Sequence, residues 1–215
     1  MNQDRPLSPE DCAALLDVSR ETLARLEQWV ELLAMWQQRI NLVSATTLRD
    51  PWRRHVLDGG QLLRHAPAAA IWADLGTGPG VPGMILAIMG VPQVHLVESD
   101  QRKVAFLRES ARVTATKVTI HARRIEQADM PPADVVTARA LAPLDKLLGL
   151  AKPHMGPATV GLFPKGEGLP AELTEAARHW HMKPDVLPSL SDPRGNILRV
   201  CEVARVDGRR VQERS

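Results

Sequence analysis

The chain has 215 residues, 44% of them hydrophobic, which is enough for one substantial packed domain with a smaller extension. Its two cysteines, Cys12 and Cys201, are too few and too distant for a disulfide framework, and no apolar run approaches the roughly 20 residues that span a bilayer. The net charge is only +2, but residues 101–124 hold seven Lys or Arg against one Glu, which suits either a polyanion or a solvated helix face.

The first 66 residues are predicted to form a helical N-terminal extension. Ser8 can cap a first helix that opens with Pro9. A second helix is predicted over about 20–39, because apolar residues repeat there at three- and four-residue steps. A third helix is predicted over about 50–64, where Asp and Pro give a starting signal.

From residue 67 to 215, predicted strands alternate with predicted helices. The strands are expected at 71–75, 94–97, 118–120, 134–138, 159–163, 184–187 and 197–204. The helices are expected at 82–89, 101–114, 143–151 and 173–180. This alternation predicts an α/β fold with a doubly wound, mostly parallel seven-stranded sheet, in which one of the last two strands runs antiparallel at the edge.

A glycine-rich stretch, DLGTGPGVPG at Asp74–Gly83, follows the first predicted strand. Counted from Asp74, its spacing is typical of an S-adenosylmethionine site. Counted from Gly78, it matches the G-x-G-x-x-G of a nicotinamide dinucleotide site. Glycines allow the sharp turn and close approach that either ligand needs, and Glu98 after the next strand can accept a hydrogen bond from ribose in both cases.

Three details favour S-adenosylmethionine. Asp74 closes the first strand, where dinucleotide sites more often have an apolar residue. Pro79 and Pro82 offer no N–H group to a pyrophosphate. About 70 residues precede the strand, whereas dinucleotide domains often begin almost at it. A nicotinamide-dependent oxidoreductase of Rossmann type remains the alternative, and a tight turn without any ligand is the third possibility.

Five segments, in this order and spacing, resemble the bacterial 16S rRNA guanine-N7 methyltransferases, a family also called small subunit methyltransferase G or glucose-inhibited division protein B. They are Trp36–Leu42 (W-N-x-x-x-N-L), Arg54–Gly59 (R-H-x-x-D-S), the glycine loop, Val136–Ala140 (R-A) and Lys165-Gly166 (K-G). Gln37 and Gly59 depart from the family's usual Asn and Ser, which affects local hydrogen bonds rather than the acids or loop glycines.

The resemblance implies a class I methyltransferase fold of Rossmann-like type, S-adenosylmethionine as the donor, and a guanine in the decoding region of 16S rRNA as the acceptor. The partner is then 16S rRNA or the small ribosomal subunit. The predicted donor-binding residues are Asp74, Gly76, Gly78, Gly80, Val81, Glu98, Ile125, Glu126 and Arg139. Among them, the matching positions place Gly76 and Val81 in the donor pocket, Ile125 and Glu126 at the adenine, and Arg139 where it closes the site.

The acceptor side is predicted to use positioning rather than acid–base chemistry. Guanine N7 carries a lone pair and no proton, so no catalytic base or metal is predicted, and Arg139 is expected to position the acceptor. The predicted RNA-binding residues are Arg123, Arg124, Arg139 and Lys165. Arg124 can equally be an ordinary surface charge. A non-catalytic RNA-binding module with an unused glycine loop is a further alternative.

Arg54, His55 and Asp58 admit two interpretations. Their spacing puts His55 and Asp58 on one helical face. They can form a structural polar link between the N-terminal helices and the sheet, which we favour, or they can support the donor loop or contact RNA. The N-terminal residues lack the pattern of a signal peptide, so we expect a cytoplasmic protein without membrane attachment. The apolar N-terminal helices can dock on the core or on a second copy of the chain, and we expect a monomer.

Overall fold

The computed structural model of the protein describes residues 5–66 and 71–206. A seven-stranded sheet lies at its centre, with the strand order β3-β2-β1-β4-β5-β7-β6. The strands are β1 (Ile71–Leu75), β2 (Gln93–Val97), β3 (Thr119–His121), β4 (Ala133–Thr137), β5 (Met155–Lys165), β6 (Trp180–Pro188) and β7 (Asn196–Arg205). Strands β1 to β5 pair in parallel, and β7 runs antiparallel to both of its neighbours.

Helices cover both faces of this sheet. They are α1 (Pro9–Leu16), α2 (Arg20–Gln37), α3 (Ala45–Leu48), α4 (Asp58–Gly60), α5 (Gly83–Ile88), α6 (Gln101–Val113), α7 (Leu144–Ala151) and α8 (Leu169–Ala176). One buried cluster joins α1, α2, α5 and α6 to side chains of one sheet face, and the other joins α7 and α8 to the opposite face. Neighbouring β1 residues show the alternation, because Trp72 packs in the first cluster and Ala73 in the second.

The segment before the sheet is helical but irregular. Trp52–Leu57 is a π-helix, α4 continues it, and Gln61–His65 forms a 3₁₀ turn. Two glycines of α4 let this segment approach its neighbours closely. A Cβ at Gly59 would lie 3.2 Å from Pro82 Cα, and one at Gly60 would lie 2.7 Å from a methyl carbon of Leu16. The close packing brings the 52–60 region against the glycine loop.

The predicted fold class is confirmed, with two corrections in detail. The antiparallel strand is β7, which lies between β5 and β6 rather than at the edge. The helix predicted over 173–180 is wrong at its end, since α8 stops at Ala176 and Trp180 begins β6. Trp180 is 3% exposed and its indole N–H donates to Asp145, so tertiary packing draws this residue into the sheet.

Two further expectations are limited by what the structure describes. The boundary predicted between residues 66 and 67 touches the stretch 67–70, which lies outside the described residues, so the division into two parts stays a prediction. Within 5–66 and 71–206, no helix combines the length and apolarity that crossing a membrane requires.

Candidate functional site

The glycine loop leaves the carboxyl end of β1, the edge of the sheet at which open α/β folds bind ligands. Three of its glycines have a positive φ: Gly76 (65°), Gly78 (59°) and Gly80 (94°). L-residues with a side chain rarely adopt this conformation, so the loop geometry requires glycine there. At Gly80 a Cβ would also lie 2.5 Å from the Cβ of Met84, which ties this glycine to packing of the following helix.

Asp74 holds the two ends of the loop together. Its Oδ2 accepts hydrogen bonds from the Gly83 amide (2.8 Å) and from the Thr77 hydroxyl. The side chain is fully buried, and this burial raises the pKa of Asp74 to about 6, against the opposing effect of both hydrogen bonds. Asp74 therefore fixes the loop, and its contact with a donor, direct or through water, stays a prediction.

The raised pKa of Asp74 predicts a specific pH dependence of stability. The folded protein keeps a proton on Asp74 that the unfolded chain releases near pH 3.8, so this contribution to stability is present below pH 3.8 and lost as the pH rises through 6. We expect the free energy of unfolding of the wild type to fall relative to D74N by about 2–3 kcal/mol between pH 3.8 and 7. Urea unfolding of both proteins across this range measures the difference.

The exposed Asp129 supplies the control for this measurement, because D129N removes a carboxylate without touching the loop. Parallel pH profiles for wild type and D74N would contradict a protonated Asp74 in the fold.

A first cleft of about 440 Å³ lies beside the loop, along the ends of β1, β2 and β4. Its lining includes predicted residues from four separate parts of the chain: Gly76, Glu98, Arg123, Arg124, Ile125, Glu126 and Arg139. Glu98 is held there by backbone amides, with Gly78 N donating to Oε2 (3.0 Å) and Asp100 N donating to Oε1 (2.8 Å). Each carboxylate oxygen keeps a lone pair that can accept from a hydroxyl group.

A second, smaller cleft of about 290 Å³ adjoins the glycine loop on its other side. Gly76, Gly78 and Val81 line it, together with Arg139 and Lys103. Lys103 lines the first cleft as well, and it was not among the residues predicted for the site. The cap at Asp100 places Lys103 in the first turn of α6, and this cap was the sequence signal that could have identified Lys103 as a site residue.

Arg139 lines both of these clefts, and its guanidinium is held by the segment 55–58. Nε contacts Asp58 Oδ2 at 3.0 Å, and Nη1 lies 3.2 Å from His55 Nδ1. The His55 pKa is lowered to about 3, by burial first and by the charges of Arg139 and Arg54 next, so the ring is neutral and can accept this hydrogen bond. Asp58 Oδ1 is in turn bonded by Ser191 Oγ.

These contacts relate to both interpretations of Arg54, His55 and Asp58, the structural polar link and the support of the site. The segment is a polar link from the helical extension to the sheet, and the group that it links is Arg139 itself. Arg54 makes a separate ion pair with Asp192 in the β6–β7 connection, at 3.0 Å. Nη2 of Arg139 takes part in neither contact, so the guanidinium is oriented while both N–H groups of Nη2 stay available.

Lys165 lies in a third cleft of about 540 Å³, where its ammonium is already engaged. Nζ contacts Glu172 Oε2 at 2.6 Å and the Ala142 carbonyl oxygen at 3.1 Å, and the side chain is 10% exposed. Glu172 also accepts from the Leu144 amide at the start of α7 (2.7 Å). Glu172 was not among the predicted site residues, and a phosphate contact of Lys165 stays a prediction.

The positive charge of 101–124 is partly neutralised in the fold. Arg102 pairs with Asp100, and Arg112 pairs with Glu109. Arg123 and Arg124 are exposed at the rim of the first cleft. The cleft lining holds five cations (Lys103, Arg123, Arg124, Arg139 and Lys146) against two carboxylates (Glu98 and Glu126), a net of +3.

Comparison with known proteins gives consistent relatives. The model of the family described as rRNA small subunit methyltransferase G matches residues 22–197. Over 203 residues the chain is 52% identical to the ribosomal RNA small subunit methyltransferase G of Paramagnetospirillum magneticum, covering 93% of this chain and 98% of that protein. The protein of the same name from Rhodospirillum rubrum is 51% identical over 200 residues, covering 93% and 100%.

Solved structures with low sequence identity share the fold. TYW2 of M. jannaschii, solved in complex with AdoMet, has a TM-score of 0.55 at 14% identity, covering 79% of this chain and 80% of that one. The ribosomal protein L11 methylase of Lactobacillus delbrueckii subsp. bulgaricus has a TM-score of 0.55 at 16% identity, covering 74% and 79%. These likenesses support the class I methyltransferase fold.

Proposed function

The chain belongs to the rRNA small subunit methyltransferase G family, and we propose that it transfers a methyl group to N7 of a guanine in the decoding region of 16S rRNA. It is an S-adenosylmethionine-dependent methyltransferase whose acceptor is small-subunit rRNA. The observation that carries this proposal is about 50% identity to relatives of that name over nearly the whole chain. A nicotinamide-dependent oxidoreductase is not favoured.

The residues of the two clefts beside the loop fit S-adenosylmethionine. A Cβ at Gly78 would meet no atom within 4 Å, so there is open space beside the backbone of the loop. Ile125 offers a buried apolar contact for the adenine, and Glu98 offers carboxylate oxygens for ribose hydroxyls. Gly76 and Arg139 line both clefts, so the reactive centre of a donor that spans them would lie near these two residues.

When bound, S-adenosylmethionine supplies an electrophilic methyl carbon: the N7 lone pair forms the new C–N bond as the C–S bond breaks, giving neutral S-adenosylhomocysteine and a cationic 7-methylguanine. No side chain has to remove a proton. His55 is neutral and bonded to Arg139, and Cys12 is buried against the Trp52 carbonyl, outside the clefts. The chain then contributes mainly positioning, for which the upper limit is about 7–11 kcal/mol.

We assign the RNA contacts to the cationic rim. Arg123 and Arg124 are exposed beside the first cleft, where phosphates can reach them, and Arg139 faces the acceptor. Action on ribosomal RNA agrees with a cytoplasmic protein. A monomer is favoured because, among the described residues, the large exposed apolar side chains are Met35, Val186 and Val206, which belong to three separate elements or connections.

Mapping of N7-methylguanine in 16S rRNA tests this function. Small subunits from cells lacking the protein should gain the modification at one guanine when purified protein and S-adenosylmethionine are added. Transfer of labelled methyl excludes a non-catalytic RNA-binding module. S-adenosylhomocysteine should raise the melting temperature of the protein whereas NADH should not, and the reverse result would favour the oxidoreductase.

A further inference from the structure

The third cleft, which we call the paired cleft, is lined by three ion pairs. They are Arg54–Asp192 (3.0 Å), Arg139–Asp58 (3.0 Å) and Lys165–Glu172 (2.6 Å). The paired cleft shares residues 139–142 with the first cleft, so the two clefts adjoin along this short segment. The relatives name an rRNA substrate, but nothing in the comparisons says what occupies this space.

The charges of the two clefts suit different parts of an RNA chain. All three cations of the paired cleft are matched by carboxylates, so its lining carries no net charge. The lining of the first cleft has a net charge of +3, or +2 when Arg139 is counted together with Asp58. A phosphate is attracted to unbalanced positive charge. A neutral group with several hydrogen-bonding atoms, such as a nucleobase, is better suited to a polar cleft without net charge. The volume of about 540 Å³ lies in the ordinary range for small-ligand sites.

The Lys165–Glu172 pair offers one donor and one acceptor side by side. Both hydrogen bonds of Glu172, from Lys165 Nζ and the Leu144 amide, use Oε2, which leaves Oε1 available. Lys165 Nζ has three N–H groups, and its contacts to Glu172 and the Ala142 carbonyl use two of them. Both side chains line the paired cleft.

We propose that the paired cleft receives the target base, extruded from the RNA, and that Lys165 and Glu172 recognise the edge that carries its O6 and N1–H groups. Guanine presents an acceptor at O6 beside a donor at N1, which complements an ammonium beside a carboxylate. Adenine presents a donor at its 6-amino group beside an acceptor at N1, which does not. This inference rests on the proposed function, since it explains why the acceptor is guanine.

The arrangement also agrees with methylation at N7. Atom O6 lies between N1 and N7 on the purine, so a base whose N1 edge faces Lys165 and Glu172 can turn its N7 toward Arg139, which lines the paired cleft and both clefts of the donor. Leu141, Pro143 and Pro164 supply apolar surface for the faces of the base. Extrusion of a base into such a pocket is the usual solution when an enzyme modifies an atom inside folded nucleic acid.

The substitution E172Q tests the proposal sharply. Oε2 receives two hydrogen bonds, so the glutamine oxygen must take that place, and its NH₂ group then faces the base where an acceptor stood. We compare methylation of small-subunit RNA carrying guanine or 2-aminopurine at the mapped position, since 2-aminopurine has N7 but an acceptor at N1. The wild-type preference for guanine should fall by about tenfold or more in E172Q, while intrinsic N7 reactivity cancels in this ratio.

The matched control is E175Q, on the same helix but paired with the exposed Arg178, and it should keep the wild-type preference. Stabilisation by S-adenosylhomocysteine reports whether each variant is folded. If E172Q slows both substrates equally, Glu172 only holds the start of α7 and the proposal is overturned. If the wild type methylates no guanine, the proposed function itself fails.

A second measurement needs no variant. Guanine that already carries a methyl group at N1 has lost the N1–H donor but keeps N7 and O6. The wild type should methylate RNA with 1-methylguanine at the target at least about tenfold more slowly than unmodified RNA. Equal rates for the two substrates would overturn the proposal even if E172Q does not fold.

Discussion

Replacement of Arg139 by alanine is expected to lower kcat/KM for small-subunit RNA by roughly 100- to 1000-fold, the usual loss when one oriented donor group is removed from an active site. Arg139 lines all three clefts, and its guanidinium is oriented by Asp58 and His55. The Kd for S-adenosylhomocysteine should change less than about threefold, because Glu98, Ile125 and the glycine loop are retained. Single-turnover methylation and calorimetric titration measure the two quantities.

Two further variants separate direct contact from positioning. D58N keeps the guanidinium but removes the charge that holds Nε, so it should lower the rate by about tenfold with donor binding unchanged. R178A removes an exposed arginine paired with Glu175 and should leave both quantities at their wild-type values. Unchanged turnover in R139A would remove Arg139 from the site, and a parallel loss of donor binding would make it a donor-holding residue.

Local patterns explain why the sequence predicted so much of the fold. The alternation of short apolar runs with amphipathic segments identified the five parallel strands, and proline and glycine marked the loop after β1. Asp74, Gly76 and Glu98 could be selected because their roles depend on positions within a few residues of a strand end. The position of β7 in the sheet could not be predicted in this way, since its place between β5 and β6 depends on long-range pairing.

The partners of the charged side chains could not be predicted in the same way. Arg139 and Asp58 are 81 positions apart in the sequence, and their ion pair exists because the closely packed 52–60 region approaches the end of β4. The K-G motif alone predicts the RNA contact of Lys165. Glu172, in the first turn of α8, neutralises Lys165. This contact depends on where α7 and α8 begin, which no periodicity in the sequence determines.

Replacement of Gly83 by alanine is expected to lower the free energy of unfolding by about 2–3 kcal/mol, the range for overpacking a rigid core position. A Cβ there would lie 2.3 Å from Leu96 Cδ2 and 2.8 Å from Asp74 Cβ. The leucine methyl can move, but Asp74 is fully buried and is itself held by the Gly83 amide, so relief on that side breaks the bond that closes the loop. Urea unfolding at pH 7 measures the loss.

Gly78 serves as the comparison, because its replacement by alanine should affect donor binding more than stability. Its φ of 59° makes alanine cost roughly 1 kcal/mol in strain, but the new Cβ would meet no protein atom within 4 Å. That Cβ would project into the space beside the loop where the donor is proposed to lie. We therefore expect G78A to weaken S-adenosylhomocysteine binding by at least about tenfold. Its free energy of unfolding should stay higher than that of G83A. Gly83 faces Asp74, so G83A should lose more stability than G78A. Gly78 faces open space, so the loss of affinity for S-adenosylhomocysteine is expected of G78A. A G78A variant that binds S-adenosylhomocysteine as tightly as the wild type would show that the donor does not approach the loop at this residue.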